Sequence, residues 1–143
     1  MKITMKMDSS KFNAKMKQLL IATAKGSHEL VSEYAEELYG ATLLEVPKDT
    51  DTLASSAYKE VEKGIFSSKG LVGYGGNGDP INPKTGSQAS SYMTIVHEDL
   101  SANHPNGGKA KYLEDPARRI QDRYVNRKVP GLLSKLAAWY NRR

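Results

Sequence analysis

The chain has 143 residues, a length that supports one domain with one core and not two. With no cysteine, a disulfide framework, a thiolate metal site and a cysteine nucleophile are excluded. The net charge of +5 is unevenly spread: residues 1–25 carry six Lys against Asp8, 26–50 six acids against Lys48, 51–117 six bases against eight acids, and 118–143 eight bases against Asp122. That dipolar layout suits head-to-tail contact between copies or passage near a polyanion. A hydrophobic fraction of 38% and a mean hydropathy of −0.58 predict long polar loops, or surface that is buried only in an assembly. The longest apolar run, Leu19–Ala24, is far short of a membrane span, and Met1–Met7 lacks the continuous apolar core of a signal peptide, so the chain reads as soluble and unprocessed.

Lys2, Thr4 and Lys6 alternate with Ile3, Met5 and Met7, which predicts an opening strand. Asp8, Ser9 or Ser10 can cap a helix in which Phe12, Met16, Leu19, Leu20 and Thr23 recur at helical spacing. Gly26 is expected to end or kink it. A second helix then starts at Ser27, with Leu30, Val31, Tyr34, Leu38 and Ala41 or Thr42 on its apolar face and Glu29, Glu33, Glu36 and Glu37 outside. It stops before Pro47, because the residue preceding a proline avoids helical angles. Gly40 is a place where another backbone is expected to come close.

Residues 46–56 read as a turn rich in Asp and Thr, and 55–63 with 69–75 as a hairpin. Residues 75–91 are too polar and too rich in Gly and Pro for a packed element, so this loop is expected to order on a partner. Tyr92, Thr94 and Val96 alternate with Met93, Ile95 and His97, the period of two expected of a strand. Asn103, Pro105, Asn106, Gly107 and Gly108 then make a loop. Asp115 and Pro116 open a helix to about Arg127 with Ile120 and Tyr124 buried and a basic stripe of Arg119, Arg123 and Arg127. Pro130 starts a last short helix with an apolar face of Leu132, Leu133, Leu136, Trp139 and Tyr140.

His97, Glu98, Asp99 and His104 are the one cluster with the residue types of a metal or acid-base site. A zinc protease needs a second His four residues after the first, and Ser101 stands there, so the spacing argues against metal. The bland reading is a strand end whose His and Glu fix the following loop. The glycines of Gly73–Gly78 lack the Lys and Ser or Thr of a phosphate loop, and no serine has an identifiable base. No catalytic set, cofactor or metal is expected.

Val46-Pro47, then Asp49, Thr50, Asp51, Thr52, Leu53 and Ser56, then Tyr92 and the segment ending Val96-His97-Glu98, then His104, Pro105, Asn106, Gly107 and Gly108, then Lys111, Tyr112, Leu113 and Glu114 occur in an order and spacing that resembles a family of tailed-bacteriophage structural proteins. These are the small neck proteins of long-tailed phages, also called minor capsid, head-tail joining or tail-completion proteins. The family pattern P-x-D-T-G-x-L-R has Gly where this chain has Asp51 and Arg where it has Ala54, so the turn is expected to differ and the Arg contact to be missing. The loop at about 76–91, from residue 79 onward, looks like an insertion.

The resemblance implies a single α+β domain over 1–143, a small antiparallel sheet against N-terminal and C-terminal helices. It also implies a non-enzymatic virion protein, assembled in the host cytoplasm. Such a protein forms a homo-oligomeric ring, a hexamer or dodecamer, between portal or adaptor and tail proteins, with genomic DNA passing through and no membrane partner. Glu33 and Glu37 on one surface and Arg119, Arg123 and Arg127 on another are the candidate subunit contacts. A tail-tube terminator ring is the alternative, followed by a nonspecific nucleic-acid-binding protein or nuclease.

Overall fold

The computed structural model describes residues 9–76 and 78–142, and the expected strand at Met1–Met7 lies outside them. The fold is α+β. A 36-residue helix, α1 (Ser10–Glu45), is followed by a short α2 (Thr52–Ser55), an antiparallel hairpin of β1 (Tyr58–Lys63) and β2 (Ser68–Gly73), α3 (Ala89–Glu98), α4 (Glu114–Arg123), a π-helical turn (Tyr124–Lys128) and α5 (Val129–Arg142). The long helix is the spine: β1, β2, α4 and α5 all pack on it. Among the described residues no helix is long and apolar enough to cross a membrane.

Gly26 does not break α1. It is buried, and a Cβ there would lie 2.5 Å from Leu132 Cδ1, so the glycine serves the close crossing of α1 and α5. Packing there replaces the helix end that glycine's backbone freedom suggested. Ser27 therefore caps nothing, and Ser9, at the true N-cap, makes no side-chain cap bond. The C-terminal expectation holds: Val46 turns to an extended conformation before Pro47. Nothing approaches Gly40 within 4 Å of an added Cβ.

The period-two reading of 92–97 is overturned, because this segment is helix α3. Ala89 is fully buried and Tyr92, Met93, Val96 and His97 are half-buried, which is the i, i+3, i+4, i+7, i+8 face of a helix, while Thr94 and Ile95 point to solvent. Asp79 starts it, accepting from the Ser90 N–H (2.8 Å) and hydroxyl (2.5 Å). Before it, residues 80–89 close on themselves, with Ala89 N–H donating to Pro80 O (3.0 Å) and Asn82 N–H to Ser87 O (2.8 Å). Those hydrogen bonds order the loop within the chain, and the last three residues of the expected 75–91 loop, Ala89, Ser90 and Ser91, already belong to α3.

Pro130 is the second residue of α5, within one residue of the start expected for the last helix, and α5 runs on from α4 through the π turn. A proline inside a helix lacks the N–H for residue i−4 and its ring crowds that carbonyl. The wider turn, in which Val129 N–H reaches Tyr124 O five residues back, accommodates this without a break.

Two apolar clusters hold the spine. Val46, Leu53, Ala57, Tyr74, Ala89 and Tyr112 form one; Leu38, Ile120 and Tyr124 form the other, with Leu113 packed against both. Between the first cluster's aromatic residues runs a buried polar link. Tyr74 Oη donates to Thr42 Oγ1 (2.9 Å), which donates to Tyr112 O (2.6 Å), and Tyr112 Oη donates to Met93 O (3.0 Å). Burial pushes the Tyr74 hydroxyl up to about 12 and that of Tyr112 further up, so both stay protonated donors.

Candidate functional site

Pro47, Asp49, Thr50, Leu53, Tyr92, His104 and Gly107, scattered over sixty residues of sequence, line one cleft of about 430 Å³. The α1–α2 turn forms one wall and α3 the floor, with loop residues Asn82, Thr85 and Ser87 opposite. Asp49 is the polar centre of its rim, accepting from Lys84 Nζ (2.8 Å) and Asn106 Nδ2 (3.3 Å). The loop at 76–91 is thus part of the cleft wall.

The turn opens on a backbone feature. Asp51 has φ +55°, the left-handed region that costs a non-glycine residue about 1 kcal/mol or more. This is the position where the pattern above carries glycine, the residue that adopts such a conformation at least cost. Ala54, in place of the pattern's Arg, packs half-buried against the first cluster. Across the cleft, Gly108 has φ +90° and an added Cβ would stand 2.5 Å from Pro47 Cα, so only glycine lets this loop lie on the Val46-Pro47 backbone. Lys109 N–H to Glu45 O (2.9 Å) holds it there.

Behind the cleft, Ser56 is fully buried, donating to Leu53 O (2.7 Å) and accepting from Gly75 N–H (3.1 Å). At the far end of α3, His97 lies edge-on to Tyr112 with ring centroids 5.0 Å apart. Its Nε2 accepts from Glu114 N–H (3.4 Å), which leaves the proton on Nδ1, donated to Glu98 Oε1 (2.7 Å). Lys111 N–H donates to His97 O (2.8 Å), and its ammonium bonds Glu98 and Glu114 (3.0 Å to the latter). The Lys111 ammonium, then His97, holds the Glu98 carboxyl below the usual range; Lys111 does the same for Glu114, and the two carboxylates raise Lys111 in turn. His97 and Glu98 do fix the following loop, from a helix end and not from a strand end.

His97 and His104 line different cavities, and among the described residues no three His, Asp or Glu side chains gather as a metal site. His104 Nε2 is buried in the cleft wall without a hydrogen-bond partner among the described residues. Asp49, His104 and the threonines form no nucleophile–base pair; the Thr50 hydroxyl is bonded to that of Thr52 (2.8 Å). What the arrangement can do is recognise: an apolar floor of Leu53, Tyr92 and Val96 under a rim of amides, hydroxyls and one carboxylate.

The charged stripes also find partners. Glu37 pairs with Arg123, Glu45 with Arg119, and Glu33 with Lys128 (2.5 Å), all within one chain. The acidic and basic surfaces assigned by the sequence to neighbouring subunits therefore face each other across the α1–α4 seam, because both stripes recur at helical spacing beside the same buried seam. Arg127 alone of the five candidates forms no ion pair among the described residues. Sequence reasoning missed Lys84 and Asp79, whose signal was an Asp ten and a Lys five residues before Ala89, where an apolar 3–4 spacing begins. No protein-family model, curated protein or solved structure matches this chain.

Proposed function

We propose that this chain is a structural subunit of an oligomeric ring in the neck of a tailed bacteriophage, joining portal and head to tail and letting DNA pass. The observation that carries the reading is the convergence of the motif. Pieces separated by up to sixty residues meet in one cleft and one hydrogen-bonded unit, and the backbone takes a left-handed turn at Asp51, where the pattern has glycine. Neither requires a catalytic group.

Surface area supports an assembly subunit. The chain exposes 9958 Å², against about 7,300 Å² for a compact 15.8 kDa monomer. Much of it is apolar: Phe12, Leu44, Ile65, Phe66, Ile95 and Leu100 are all more than half exposed. A subunit completed by its neighbours has that character.

One observation favours a second reading, nonspecific nucleic-acid binding. The arm made by the first half of α1, the end of the π turn and α5 carries Lys11, Lys15, Lys17, Lys25, Arg127, Lys128, Lys135 and Arg142 with no acid in residues 9–28 or 126–142. Add-back to portal-bearing heads lacking a neck separates the two. The ring reading expects tail joining to be restored. Failure to bind heads, together with duplex binding that falls steeply with salt, contradicts it and favours the second.

A further inference from the structure

The β1–β2 hairpin ends in an apolar tip. Gly64 N–H donates to Ser67 O (2.8 Å), closing a turn that turns Ile65 and Phe66 outward, 83% and 67% exposed. Turn positions of this kind ordinarily hold Gly, Asn, Asp or Ser, so two large apolar side chains here need a destination.

On another face of the same chain, α1, β2 and the α4–α5 junction enclose an apolar groove of about 340 Å³, lined by Leu30, Val31, Tyr34, Val72, Val125 and Val129. Its floor is the Leu38, Ile120 and Tyr124 cluster, and its rim is open, with Val125 56% and Val129 42% exposed. The Glu37–Arg123 and Glu33–Lys128 pairs brace α1 against the α4–α5 side of this groove. The hairpin cannot fill its own groove. Gly70 already forms part of the wall, and Phe66 lies four residues away along an extended strand, about 13 Å.

Charge agrees with shape. Lys63 and Lys69 flank the tip with no acid between them and form no ion pair among the described residues, Glu62 standing opposite Lys69 in the strand register. Asp122, beside the groove-lining Gln121, is exposed and likewise unpaired among the described residues. The occupant with a matching apolar knob and basic flanks is therefore a second copy of this chain.

We propose that Ile65 and Phe66 of one copy seat in the Leu30–Val72–Val125 groove of the next, head to tail. The inference rests on the ring reading and names its contact. Knob and groove are different patches, so the contact is heterologous: each copy offers both halves, and the ring reading requires that the series close.

Because the chain has no cysteine, introduced thiols are unique. The F66C/V125C double variant, oxidised alone at high concentration and again on portal-bearing particles, is expected to give a ladder of covalent dimers, trimers and larger species. A control pair, F66C/L100C, places the second thiol on an exposed loop residue away from the groove and is expected to give at least tenfold less. Phe66→Asp is expected to weaken association at least tenfold with an unchanged melting temperature, since the side chain is exposed in the single chain. A ring on the particle without the ladder, or with equal ladders from both pairs, overturns this contact and leaves the ring reading standing. A chain monomeric in both settings overturns both.

Discussion

The half of the molecule around α2, α3 and the 99–113 loop and the arm formed by α1's first turns with α5 are built on opposite terms. In the first, Val46, Ser56, Ala57, Ala89 and Tyr112 are at most 2% exposed and nearly every polar group has a named partner. In the arm, α5 has no buried residue at all, Leu133 is 59% exposed, and the helices touch through Gly26–Leu132 and through Lys15 over the Tyr140 ring at 4.2 Å. The first half draws its order from its own packing, whereas the arm leaves apolar side chains uncovered within the chain. With no buried residue in α5, these two helices do not cover each other's apolar faces, and local stability follows burial.

That contrast can be broken most severely at Gly108. Gly108→Ala forces a left-handed alanine onto the Pro47 backbone and is expected to cost about 3 kcal/mol in denaturant unfolding, by strain plus overpacking. Next comes Thr42→Val, which keeps the shape but leaves the Tyr74 hydroxyl without its acceptor; about 2 kcal/mol is expected by the same measurement. Asp51→Gly runs the other way. Its carboxylate makes no cap bond, and releasing the left-handed strain is expected to add about 1 kcal/mol, read as a higher melting temperature.

A pH series sharpens the comparison further. The carboxyls of Glu98, Glu114 and Asp115 are held below their ordinary values, chiefly by hydrogen bonds from Lys111, Lys111 and Lys109. Groups with depressed folded values stabilise the fold above their unfolded values, so that contribution is lost as pH falls through the carboxylate range. Lys109 and Lys111 are raised, so their contribution is complete below the ordinary lysine value of 10.5 and is lost as pH rises through their higher folded values. Stability from this unit is therefore flat between the two ranges and falls outside them, and Lys111→Met is expected to flatten the acid limb. The smallest effect belongs to the arm: Leu133→Gln is expected to change unfolding by less than about 0.5 kcal/mol while lowering association, if the arm is covered in the assembly.

The class α+β, the hairpin, the amphipathic second half of α1 and the buried Ile120 and Tyr124 were all legible in the sequence, because each rests on periodicity or on a turn signal. Tyr92–His97 was misread because every one of its residues is compatible with a strand face. The deciding position was Ala89, a small residue three before Tyr92 that completes the helical face but lies inside what reads as loop. Gly26 and Pro130 were read by their backbone preferences; Leu132 packing prevailed at the glycine, while the proline stands within one residue of the expected helix start, after the π turn. The motif residues were identified, but their meeting in one cleft depends on the path of the 79–88 loop, which local pattern does not encode. The cis pairing of the acidic and basic stripes was likewise invisible, since stripe spacing does not say which helix lies opposite.

Native mass spectrometry of the purified protein, alone and then with portal-bearing particles, reads out whether this chain is one unit of a ring, as proposed. One discrete oligomer, a hexamer or dodecamer, is expected, either free or formed on the particle. A monomer that remains a monomer in the presence of particles would contradict it.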